Sequence, residues 1–185
     1  MPFRCRDSKY LMPDNTNSST ASYRIYHDKM GGPYHDFWLF REREREYENY
    51  GDLLGRRDAP VSLPDDLLRY FLDTLAWVPA LSPDCSPQVG GGLDLYGPPT
   101  IINHLGGEKF SDVLESWACL LRLGPEQITL SVGSTGIVGD DGELEDRGWL
   151  KLEVIRDEVV GQLKLLAEWG ALAATGEFFI LHLGI

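Results

Sequence analysis

The chain has 185 residues, 43% of them hydrophobic and 11% aromatic, enough for one domain with a substantial core and too few for two comfortable ones. Its formal net charge of −12 argues against a protein that holds nucleic acid through phosphates, because that needs a basic face. The charge is uneven: residues 1–57 hold 10 Lys+Arg against 9 Asp+Glu, whereas residues 58–185 hold 7 against 20, a net of −13. The acidic field therefore belongs to the body of the domain and favours basic or neutral partners.

The 3 cysteines, Cys5, Cys85 and Cys119, are far apart and lack Cys-x-x-Cys spacing, which fits a reducing compartment. Cys119, among Trp117, Ala118, Leu120 and Leu121, reads as a small core residue. The start carries no apolar run for a signal peptide, and no stretch approaches the ~20 apolar residues of a membrane span. A cytoplasmic, soluble protein without membrane contact is expected.

Residues 1–22, rich in Asn, Ser and Thr, have little to bury and read as a flexible N-terminal segment; residues 23–185 read as a single domain. Within it, 23–50 forms a hairpin extension. Tyr23–Lys29 and Tyr34–Phe40 flank Gly31-Gly32, a register that sets Tyr26 opposite Phe37, Asp28 opposite His35 and His27 opposite Asp36. The two Tyr-His-Asp triplets suggest a metal site, but this register puts the two His–Asp pairs on opposite faces and favours ordinary cross-strand pairing. The alternating charges of 41–50 favour continuation of the strand.

A first helix is expected to begin near Ser62, with Asp65 completing a capping-box-like start and Pro64 in the first turn. Leu67, Leu68, Phe71, Leu72, Leu75 and Ala76 form its apolar stripe. A Pro/Gly/Ser-rich loop follows, then a short strand Leu93–Tyr96, a Gly-Pro-Pro break, and a strand resuming at Thr100–Ile102. The i, i+3, i+4, i+7 stripe of Phe110, Val113, Leu114, Trp117, Ala118 and Leu121 predicts a second helix over 108–123. Ile128–Val132 and Trp149–Ile155 read as antiparallel strands across a Gly-rich acidic connection, 133–147. A third helix over 156–174 should bury Val159, Val160, Leu163, Leu166, Ala167, Gly170 and Ala173, with Gly176 as its stop. The last strand, 177–185, is apolar on both faces, the mark of a central strand. The fold class is α+β: a mainly antiparallel sheet of about six strands with three amphipathic helices packed on it.

No phosphate loop, hydrolase elbow or His-Glu-x-x-His occurs, and neither a cofactor nor a metal is implied. Two groups of residues remain as candidates. The acidic cluster Asp140, Asp141, Glu143, Glu145 and Asp146 repels itself, a strain that a basic partner would relieve. Asp94, Tyr96 and His104 could line a pocket near the Gly-Pro-Pro bend. His182, between Leu181 and Leu183, reads as a partly buried, hydrogen-bonded side chain. Most of the 5 tryptophans read as core; surplus aromatics gathered on one face would instead mark a binding surface.

The segments Leu-Asp-Leu-Tyr-Gly-Pro-Pro-Thr-Ile-Ile (93–102), Gly-Pro-Glu-Gln-Ile-Thr-Leu (124–130) and Ile-Leu-His-Leu-Gly-Ile (180–185) resemble the small acidic immunity proteins of bacterial polymorphic-toxin systems. The resemblance spans residues 90–185 and leaves the first 60 uncovered. It implies a non-enzymatic role, binding a basic toxin domain and blocking its active site, and carries over no individual residue. The alternative is a small enzyme or ligand-binding domain built on Asp94, Tyr96 and His104.

Overall fold

The computed structural model describes residues 33–46, 60–82, 92–138 and 144–184. Among the described residues, six strands and three α-helices make an α+β fold, with the strands divided between two antiparallel sheets. The elements are β1 (Tyr34–Arg41), β2 (Val61–Pro64), α1 (Asp65–Leu75), β3 (Thr100–Ile102), α2 (Gly107–Leu121), β4 (Gln127–Val138), β5 (Leu144–Ile155), α3 (Arg156–Ala174) and β6 (Phe178–Leu183).

The larger sheet has the order β2-β1-β6-β3. β6 lies between β1 and β3, with Phe37 opposite His182, Phe40 opposite Phe179, and Thr100 opposite His182 on the other side. Burial on both faces is what lets Phe179, Ile180 and Leu181 be fully enclosed. One face joins Phe40, Phe179, Leu181 and Ile101 to Leu81; the other brings Phe37 within 6.1 Å of Phe110 on α2, centroid to centroid.

Both edges of β1 are taken at Asp36 and Phe37: by Ser62 and Val61 of β2 on one side and by Leu183 and His182 of β6 on the other. The expected hairpin partner, residues 23–29, lies outside the described residues. The charged run after β1 does not continue the strand. Glu42–Glu46 turn into a 3-10 helix, with the Glu44 carboxylate accepting from the Arg41 N–H at 2.7 Å.

The first helix starts at Asp65, three residues later than expected, because Val61–Pro64 are a buried strand. Pro64 disfavours helical backbone at the residue before it, so Leu63 stays extended and pairs with His35. Ser62 then caps nothing; its hydroxyl donates to Asp36 on the neighbouring strand.

The expected strand Leu93–Tyr96 is instead a chain of bends. The Tyr96 N–H turns back onto Asp94 Oδ1 at 3.1 Å, and a side chain at Gly97 would run into the Asp94 carboxylate.

The acidic connection shrinks. β4 and β5 extend through most of 133–147 as a long hairpin, with register shifts between Ser131 and Gly133 and between Ser134 and Gly136. Ile128 faces Val154 and Leu130 faces Leu152, and all four are buried.

α3 follows at Arg156, and its seven expected residues are all buried. It crosses α2 where Gly107 meets Gly170. A Cβ at Gly170 would lie 2.8 Å from the Ser111 nitrogen and 2.9 Å from the Gly107 oxygen. Gly176, at φ +81°, ends the helical segment in the left-handed region.

Candidate functional site

Two features have functional geometry: a buried polar chain and an exposed aromatic groove. The polar chain begins at Asp65, the first residue of α1 and only 8% exposed. Its Oδ1 lies 3.0 Å from His35 Nε2 on β1 and accepts from the Tyr96 hydroxyl at 2.9 Å. His35 Nδ1 lies 3.0 Å from His182 Nε2 on β6. The two imidazoles are stacked 13° from parallel, and His182 also packs against Phe37 at 4.8 Å. Both histidines are fully enclosed.

The carboxylate can only accept from His35 Nε2–H. A neutral His35 therefore offers Nδ1 as acceptor, and His182 Nε2–H donates to it. His182 Nδ1 is left as a lone pair with no hydrogen-bond partner in the core. Burial, with the charge of a protonated His35 second, pushes His182 down to about 3 from its ordinary 6.5. At the other end, burial of the Tyr96 hydroxyl and then its bond to Asp65 push the phenol up to about 12. Tyr96 as a whole is 54% exposed, and its hydroxyl is tied to the Asp65 carboxylate.

This chain is poorly arranged for catalysis. Both His35 nitrogens are committed to protein partners, and neither reaches solvent. Among the described residues no group of three or more His, Cys, Asp or Glu is placed to hold a metal ion.

The sequence-derived pocket divides. Asp94 and Tyr96 sit together at the end of β3 where Leu95 meets Gly184, and Tyr96 belongs to the polar chain. His104 lies past the other end of β3, exposed, with its Cβ 3.9 Å from where a Cβ of Gly176 would stand. The antiparallel pairing of β3 with β6 separates the two ends by most of a strand's length. Of the acidic cluster, Glu145 and Asp146 are strand residues of β5, paired with Ile137 and Gly136; Asp140, Asp141 and Glu143 lie outside the described residues.

The groove lies between the end of α1 and α2, open, with a volume of about 220 Å³. Thr74, Trp77, Lys109, Asp112, Ser116 and Trp117 line it. Trp117 stacks on Phe71 at 4.4 Å and meets Tyr70 edge-on at 5.7 Å. Its indole N–H donates to Thr74 Oγ1 at 2.9 Å, which locks the ring. Trp77, just past the helix, is 63% exposed; Tyr70 is 40% and Leu120 55% exposed.

The tryptophans were expected mostly in the core, yet none with a described side chain is fully buried; Phe and Leu fill that space. Cys119, also expected in the core, is only half-buried, with its Sγ 3.7 Å from Glu115 Oε1. The signal that could have found the groove is the repeat Tyr70, Thr74, Trp77 at three-to-four spacing beside the Trp117 face of α2. Among the described residues no helix is long and apolar enough to cross a membrane. Comparison with protein-family models, with curated proteins and with solved structures finds no match to this chain.

Proposed function

We propose that the chain is a non-enzymatic, protein-binding inhibitor of the immunity type, which neutralises a cognate bacterial toxin domain by covering it. The observation that carries this reading is the exposed aromatic groove between two acidic helices. Half-exposed Trp and Tyr are costly to leave in water and are the residue types that anchor interfaces. The helices match a basic partner. α1 sets three Asp against Arg69, and α2 sets Glu108, Asp112 and Glu115 against Lys109, a net of −2 each. The acidic body extends that field and would steer such a partner at low ionic strength. The rival reading, an enzyme or ligand pocket on Asp94, Tyr96 and His104, loses support from the distance of His104 and from the enclosure of His35 and His182.

The test is co-expression with the product of the adjacent gene. A stable one-to-one complex by size exclusion, with protection of cells from that product's toxicity, is the expected outcome. Absence of both complex and protection overturns the reading.

A further inference from the structure

We infer that the Asp65–His35–His182 chain is a pH-sensitive switch: one proton, taken up at His35, reverses the His35–His182 hydrogen bond and moves the ring proton of His182 from Nε2 to Nδ1. The switch uses groups held inside the fold and stands apart from the partner-binding reading.

Geometry decides which imidazole takes the proton. Both rings are fully enclosed, so a cation on either needs an acceptor for each of its two N–H groups. His35 has both: Asp65 Oδ1 lies 3.0 Å from its Nε2, and His182 Nε2 lies 3.0 Å from its Nδ1. His182 has one, because its Nδ1 has no hydrogen-bond partner. The Asp65 carboxylate also lies against His35, so uptake there takes the three groups from a net charge of −1 to zero.

The other elements around the pair leave that choice unopposed. β2 sets Leu63 opposite His35, and β3 sets Thr100 opposite His182. Phe37, with Phe110 of α2 behind it, supplies an apolar side. Tyr96 reaches Asp65 as a neutral phenol. Asp66 and Arg69, further along α1, act on Tyr96 with opposite signs and lie 3.8 Å apart.

Valence fixes the rest. A charged His35 carries an N–H on Nδ1 as well as on Nε2. His182 Nε2 must then turn from donor to acceptor, with its own proton on Nδ1. The count closes on one proton: His35 gains an N–H at Nδ1, and His182 exchanges one at Nε2 for one at Nδ1. The same 3.0 Å contact serves both states. The unpartnered Nδ1 thereby has a reason. A fixed donor there would hold His182 as the Nε2–H tautomer, and a fixed acceptor would hold it as Nδ1–H. With neither, the ring can carry its proton at either end. Asp65 Oδ1 passes the change outward, because it accepts from both His35 and the Tyr96 hydroxyl. A charged His35 claims that oxygen more strongly and loosens the bond to Tyr96.

The test is long-range 1H–15N NMR of the full chain labelled with 15N-histidine, from about pH 8 to about pH 5, the range over which histidine charge changes. His27→Gln and His104→Gln assign the two remaining histidines. At the high end both enclosed rings should be neutral Nε2–H tautomers. As His35 gains its second N–H, His182 should stay neutral and pass to Nδ1–H with the same midpoint. In Asp65→Asn both changes should move together to lower pH, by about one unit or more. In His35→Gln, His182 should keep one tautomer throughout. The proposal is overturned if His182 keeps its Nε2–H while His35 titrates, if His182 itself becomes doubly protonated in this range, or if His35 stays neutral until the chain unfolds. A change of His182 tautomer that persists in His35→Gln overturns it equally. Should either variant fail to fold, the wild-type spectra decide alone, since they report the charge and tautomer of each ring together.

Discussion

His182 is the side chain whose protonation the fold tolerates least. Its folded value of about 3 lies well below its ordinary 6.5, so the unfolded chain binds the proton more readily. The contribution of neutral His182 is fully present above pH 6.5 and is lost as pH falls from there towards 3. Chemical denaturation between pH 7 and 4 should show stability falling by as much as ~1.4 kcal/mol per pH unit from this group. His182→Leu should remove that component of the slope while lowering stability at pH 7, because His35 Nδ1 loses its donor. An unchanged slope in the variant would assign the acid sensitivity to other groups.

Asp65 gives a second test at the same scale. Asp65→Ala strips partners from His35 and Tyr96 together and should cost ~2–4 kcal/mol, whereas Asp65→Asn keeps an acceptor and should cost less. Ultraviolet titration should show the Tyr96 phenol ionising near 12, and Asp65→Asn should bring it partway back towards 10, since burial persists. Of this chain, the buried character of His182 was legible from its apolar neighbours. Its bond to His35 was not, because 147 residues separate the two and local pattern has no reach over that distance.

At the scale of elements, α2 and α3 make a paired prediction with opposite signs. Gly170 sits where α3 touches α2, and a methyl there meets the Ser111 nitrogen and the Gly107 oxygen, backbone atoms that cannot step aside. Alanine would gain the ~1 kcal/mol of helix propensity that glycine forgoes. It would lose more to the forced separation of the helices, because overpacking costs ~1–3 kcal/mol. Gly170→Ala should therefore destabilise. Gly161, on the same helix, has nothing within 4 Å of a built Cβ, so Gly161→Ala should stabilise by ~0.5–1 kcal/mol. Thermal or denaturant midpoints of the two variants, moving in opposite directions, check the crossing; a neutral Gly170→Ala would mean the helices can part at no cost.

The long elements were the legible ones. α3 follows a 3.6-residue apolar period over 19 residues, and its boundaries match the expectation. β2 was missed because its four residues precede a helix-like run and cannot display a period. The acidic hairpin was missed for a different reason. Gly133, Ser134 and Gly136 look like loop residues, but they lie at the register shifts of a continuing strand.

For the whole molecule, the last strand is the joint on which the larger sheet depends. β6 is hydrogen-bonded on both edges, to β1 from near the start of the described chain and to β3 from its middle. Its removal would leave two disconnected pieces, β2–β1 and the three-residue β3. Neither can persist alone, since an isolated strand pair is at best marginal in water. The loss also strips cover from Phe37, Phe40 and Ile101 and removes Phe179, Ile180 and Leu181, each worth ~1.5–3 kcal/mol of burial. That loss is of the same size as the usual ~5–15 kcal/mol margin of a domain. A chain ending at Glu177 should therefore lack cooperative unfolding and dispersed NMR signals, although the sequence-distant α2–α3 pair remains intact as sequence. The aromatic groove provides an internal reporter: Trp77 follows α1 and Trp117 stands on α2, away from the deleted strand, so a truncated chain that still binds the partner or keeps a cooperative transition would show that the helical layer folds without the sheet.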